Sequence, residues 1–90
     1  MSGNMQNPRG TSVQDILRQA AFRLGAKDYR EGRGLREGDD LPELDGLPDN
    51  IRNRQRIYET GRLVAVYARL KRQPINAATV RAAAAERYVP

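Results

Sequence analysis

The stretch Leu63-Val64-Ala65-Val66-Tyr67-Ala68-Arg69-Leu70 sets the strongest constraint on how this chain folds. Read as a helix, it is apolar on nearly every side, and such a helix has to be covered all round. A single neighbouring helix cannot do that. The chain has 90 residues, which suits one small domain with a modest core. The remaining cover must therefore come from a third helix or from a second copy of the chain.

A third helix is well signalled. Gln73-Pro74 stops the apolar helix, and Asn76 is a favourable N-cap for the next. Ile75 and Val80 bracket that cap as a hydrophobic staple, and Ala77 to Ala85 is rich in the best helix former. Val80, Ala83, Ala84 and Tyr88 share one face, the face expected to cover the apolar helix.

The first half of the chain predicts another helix, capped by Ser12 with Asp15 in its first turn. Val13, Ile16, Leu17, Ala20, Ala21 and Leu24 recur at helical spacing and define its buried face, while Arg18, Arg23, Lys27 and Arg30 fall outside it. Gly25 lies in mid-helix, where glycine costs about 1 kcal/mol relative to alanine, so it needs a reason. The spacing predicts a close helix neighbour: Gly25 is expected to pack against the small-residue row of Gly61, Ala65 and Ala68. Gly32 suits a helix end.

The expected fold is thus all-α. A helical hairpin of about 12–31 and 50–72, the latter capped by Asp49 or Asn50, is joined by an acidic loop. A C-terminal helix of about 76–88 covers the second helix. Residues 1–10 read as a flexible polar tail, and 11–90 as one helical domain. The loop, Glu37 to Asp49, holds six carboxylates, two prolines and two glycines. Its Leu41, Leu44 and Leu47 are spaced to pin a turn onto the helices. It lacks the alternating ligands and terminal glutamate of a calcium loop, so no metal is expected.

Composition narrows function by exclusion. The chain has no cysteine and no histidine, which removes disulfides, thiol nucleophiles, the usual zinc sites and imidazole chemistry. No carboxylate sits in an evident catalytic pairing and no phosphate-loop motif occurs, so neither enzymatic activity nor a cofactor is expected. The N-terminus lacks the apolar core of a signal peptide, and no run is long enough to span a bilayer, so a cytoplasmic protein without membrane contact is expected. The net charge is +5, carried almost wholly by arginine, whose planar fork suits phosphate. Nucleic acid is the leading partner class for such a chain.

Gly25 and Gly32 with a basic residue after the second, followed by Tyr58-x-x-Gly61, resemble the ribosome modulation factor family over roughly residues 19–69. Members of that family are short basic proteins of two helices and a connector. They bind the small ribosomal subunit and promote inactive ribosome pairs. The chain departs from the pattern in having Tyr58 for a tryptophan, Arg62 for a second aromatic, an acidic loop for an Asn-Pro-Tyr-like connector, and an extra C-terminal helix. The resemblance implies the helical fold and an RNA- or ribosome-associated regulator of bacterial or phage type.

Three binding surfaces follow. For RNA, Arg30, Arg33 and Arg36 at one helix end and Arg52, Arg54 and Arg56 at the next helix start are expected at one pole. Tyr29 and Tyr58 would offer stacking; the alternative is that these arginines pair with the six loop carboxylates. A protein-binding modulator, or a dimeric regulator from a phage or mobile element, would instead use Leu63 to Leu70 for a host protein or a second copy. A helix-turn-helix DNA reader would use Asn76, Thr79 and Arg81.

Overall fold

The computed structural model describes residues 12–37, 41 and 51–89. The tail expected over 1–10, the proposed caps Asp49 and Asn50, and most of the acidic segment lie outside the described residues. The architecture is all-helical, with no strand among the described residues. Its elements are α1 (Val13–Arg18), α2 (Ala20–Arg30), α3 (Ile51–Lys71) and α4 (Ala77–Ala85).

The expected first helix is broken in two. Ser12 caps α1 as its sequence suggests, its hydroxyl accepting from the Asp15 amide at 3.1 Å. Gln19, however, is extended (φ −72°, ψ 137°) and ends α1 while starting α2. The reason lies in phase. On a continuous helix each residue turns by about 100°, so Phe22 would point roughly 120–180° away from Val13, Ile16 and Leu17. The break resets the phase and turns Val13, Ile16 and Leu17 onto the cluster that holds Phe22. Losing one helical hydrogen bond costs about 1 kcal/mol, whereas burying an apolar side chain of this size contributes about 1.5–3 kcal/mol when complete. Burial wins.

At the contact of α2 with α3 the two backbones touch. A methyl group built on Gly25 would run into the Tyr58 carbonyl oxygen and come within 3.0 Å of the Arg62 amide nitrogen. One built on Gly61 would strike the Phe22 carbonyl oxygen and lie 3.1 Å from the Phe22 Cα. The expected packing role of Gly25 and Gly61 is therefore met reciprocally, and Ala65 and Ala68 are buried with them.

Two clusters form around this contact. Phe22, Val64, Tyr67, Val80 and Ala83 make the larger one, to which α1, Ile75 and Tyr88 add their apolar surface. Ala21, Leu41 and Tyr58 make the smaller one; Leu44 and Leu47, expected to pin the same turn with Leu41, lie outside the described residues. In α4, Val80 and Ala83 face inward, while Ala84, expected on that face, is exposed and Ala82 takes its place. The apolar segment of α3 is covered mainly by its own chain: Val64, Ala65, Tyr67 and Ala68 are buried. Leu63 and Val66 are half-buried and Leu70 is exposed. The self-association surface expected over Leu63–Leu70 is reduced accordingly, because α2 and α4 consume half of it.

All three longer helices end in the same hydrogen-bonded closure. After α2, the Gly32 amide donates to the Tyr29 carbonyl at 3.1 Å and the Arg33 amide to the Asp28 carbonyl at 2.8 Å, with Gly32 at φ +75°. The ends of α3 and α4 repeat this pairing with arginine in the left-handed position, Arg72 at φ 55° and Arg87 at φ 66°. A residue with a Cβ pays roughly 1–2 kcal/mol for that conformation.

Two measurements check these points. Gly25→Ala or Gly61→Ala should each destabilise by about 3 kcal/mol or more, since the obstacle is backbone rather than a flexible side chain; an unchanged thermal melt would refute the close contact. Arg87→Gly should raise stability by about 0.5–1 kcal/mol in urea titration, and a loss would show that the left-handed arginine carries no strain.

Candidate nucleic-acid interface

A carboxylate is buried in the middle of the helix pair. Asp28 is 1% exposed, and a charge so placed is tolerated only with partners. Arg36 supplies two of them, Nε donating to Oδ2 at 2.8 Å and Nη2 to Oδ1 at 3.3 Å. The Tyr58 hydroxyl donates to Oδ2 at 2.6 Å and accepts from the Arg36 amide at 3.2 Å. The hydrogen bond from Arg36 holds the Asp28 carboxyl below its ordinary value, against burial, which pushes it up; Tyr58 assists Arg36. Around this centre, Gln55 donates to the Arg36 carbonyl at 2.8 Å and Arg62 to the Arg33 carbonyl at 2.8 Å. Residues 33–36 are thereby strapped to α3.

This network reassigns several residues expected to bind RNA. Arg36 is committed to Asp28 and is structural. Tyr58 is fully buried and offers no face for a base. Arg33, Arg30 and Arg56 are exposed; Arg54 is half-buried, its Nε without a hydrogen-bond partner among the described residues. The side chain of Arg52 lies outside the described residues. The helix-turn-helix residues are also spent locally: Asn76 Oδ1 accepts from the Thr79 amide at 3.0 Å, and Thr79 is buried, its hydroxyl donating to the Pro74 carbonyl. Asn76 and Arg81 are exposed, but the Asn76 side chain is taken up by the cap, which leaves Arg81 as the exposed member of that set with no local hydrogen bond among the described residues.

Arg30 and Tyr29 meet different neighbours from those expected. They line a cleft of about 680 Å³ whose other basic residues are Arg69 and Arg72, from the far end of α3. Its floor is apolar, from Ala65, Ala68, Pro74 and Ile75. A second cleft of about 650 Å³ shares Arg30 and Ile75 and adds Arg23, Phe22 and the first turn of α4. Arg54 and Arg56 line neither and Arg36 is turned to Asp28, so among the described side chains the arginines expected at one pole are not gathered in one site.

Charge balance sharpens this. Among the described residues, Asp15, Glu31 and Glu86 are paired with Arg18, Lys27 and Lys71, and Asp28 with Arg36. No ion pair there engages Arg23, Arg30, Arg69 or Arg72, and no carboxylate among the described residues lines either cleft. Sequence reasoning did not single out Arg69, in the last turn of α3, or Arg72, just beyond it, because basic residues at a helix C-terminus are ordinarily explained by the helix dipole. Their one distinguishing signal is the three-residue spacing just before Gln73-Pro74, which places both beside the turn into α4. Among the described residues, no group of histidine, cysteine or carboxylate side chains is arranged to hold a metal. No helix among them is long and apolar enough to cross a membrane.

The buried network has a pH signature. Because Asp28 titrates below 3.8 in the folded chain, its contribution is fully present above the unfolded value and is lost as pH falls through the folded one. Thermal melts between pH 5 and pH 2 should show this decline below pH 4, and Asp28→Asn should be less stable at pH 7 yet shallower over that window; parallel profiles would exclude Asp28 as the group responsible. Tyr58→Phe should cost about 1–3 kcal/mol at neutral pH, from the hydrogen bonds it leaves unmade.

Comparisons with known proteins add no family to this geometry: no protein-family model, no curated protein and no solved structure matches the chain.

Proposed function

We propose that this is a non-catalytic RNA-binding protein, a cytoplasmic regulator of bacterial or phage type acting on ribosomal RNA, the class its Gly25, Gly32 and Tyr58-x-x-Gly61 pattern resembles. One observation carries the reading. Arg23, Arg30, Arg69 and Arg72 surround two adjoining clefts that no carboxylate among the described residues lines. Exposed cations with no ion pair among the described residues are available to phosphate, and arginine holds it with paired donors. The net charge of +5 acts in the same direction at long range.

A second reading rests on Leu63, Val66 and Leu70, which follow one another at helical spacing on α3, with Leu70 61% exposed. That row suits a protein partner or a second copy of the chain. Sedimentation equilibrium at high concentration tests self-association, which a monomer would rule out.

For the RNA reading, affinity for labelled RNA should fall about 50-fold or more between 50 and 200 mM salt if four phosphates are contacted. Arg30→Ala, and Arg69→Ala with Arg72→Ala, should weaken binding and reduce the salt slope, whereas Arg81→Ala should change neither. The protein should also sediment with ribosomal subunits and leave them after nuclease treatment. Absence of RNA binding at low salt would sink the proposal.

A further inference from the structure

We infer that the RNA bound by this face is single-stranded, with one base seated against Tyr29 and the backbone carried across Arg30 into the neighbouring cleft; this rests on the RNA reading above. Three features point to it. The first is shape. A duplex presents phosphates on a convex exterior and keeps its bases stacked inside, so it meets a concavity only at the rim, whereas an unpaired strand can place a base within one. At about 680 Å³, the Tyr29 cleft lies within the range of about 300–1,000 Å³ typical of sites for small organic ligands.

The second feature is the distribution of chemistry in that cleft. Ala65, Ala68 and Ile75 make an apolar floor beside half-buried Tyr29, while Arg69 and Arg72 are exposed. A lone phosphate gains nothing from an apolar floor; a base does, and its phosphate is then held by arginine. The third is repetition. The second cleft, of about 650 Å³, shares Arg30 and Ile75 with the first and has its own exposed cation in Arg23 beside apolar Leu17 and Ala26. Two seats of similar size with one arginine common to both match two successive nucleotides and the phosphate between them.

The test compares three labelled probes by fluorescence anisotropy at 100 mM salt. These are a short unstructured RNA, the same sequence annealed to its complement, and a single strand of equal length with abasic positions. The single strand should bind at least tenfold tighter than the duplex. Removing the bases should cost about tenfold, the scale of one base–aromatic stack. Tyr29→Leu should lose a similar factor on the intact strand and none on the abasic one, while Tyr29→Phe keeps wild-type affinity. The abasic probe carries the test on the unaltered protein should Tyr29→Leu fail to fold. Duplex binding as tight as single-strand binding, or indifference to base removal, would overturn the single-strand inference and leave the RNA reading standing. Binding to none of the probes at low salt as well would overturn both.

Discussion

Backbone against backbone is the contact on which the fold depends. Gly25 sits on the carbonyl of Tyr58, and Gly61 sits on the carbonyl of Phe22. The two residues whose carbonyls are met are the largest fully buried side chains. A single close approach therefore sets two aromatic positions at once. Phe22 is delivered to the cluster with Val64, Tyr67, Val80 and Ala83, and Tyr58 to the cluster with Ala21 and Leu41. Side chains at either glycine would hold the helices apart and lose both placements.

Asp28 joins this crossing to the chain that follows it. Its backbone carbonyl accepts the Arg33 amide that closes α2, and its carboxylate accepts Arg36 and Tyr58. One residue thus ends a helix, anchors the exit segment and satisfies the hydroxyl of the buried tyrosine. The arrangement explains why an aspartate occupies an interior position. Replacing it leaves a guanidinium 21% exposed without its counter-charge, and that loss outweighs what the intact pair contributes. At the other end of α3 a second polar pairing does similar work. The Tyr67 hydroxyl donates to Glu86 at 2.8 Å while Tyr88 packs edge-on at 5.1 Å, holding the close of α4 against α3. The Tyr67 hydroxyl is pushed up from its ordinary value by that carboxylate and by burial, so this contribution is lost at strongly alkaline pH.

What was legible in the sequence was periodic or punctuated. The span of α3, the start of α4 (which ends at Ala85 rather than near 88), the caps at Ser12 and Asn76, the helix end at Gly32 and the role of Gly25 all follow from local chemistry. The break at Gln19 was not legible, because nothing at that position disfavours helix; tertiary burial of Phe22 with α1 decides it. The surroundings of the arginines were misjudged for a related reason. Arg36 and Tyr58 look exposed on charge and type, and only the crossing puts them beside Asp28. Arg30 was expected among the arginines that begin α3, yet it lies with those that end it. Residue type indicates what a side chain can do, whereas only packing decides whether it is free to do it.

The turn between α3 and α4 has a thermodynamic consequence. Gln73, Pro74 and Ile75 wall the first cleft, and Ile75, Asn76, Ala77 and Ala78 wall the second, so neither cleft exists unless α4 is docked. Docking in turn relies on α1, a six-residue helix far away in the chain, which joins the cluster holding Val80 and Ala83. Contacts between such distant segments carry the largest loop-closure entropy and open most readily. Any ligand of the clefts therefore binds a form that the α1–α4 closure must first populate, and by mass action it stabilises that closure in return. Occupancy of the clefts and protection of the α1 and α4 amides from hydrogen exchange are two readings of one equilibrium.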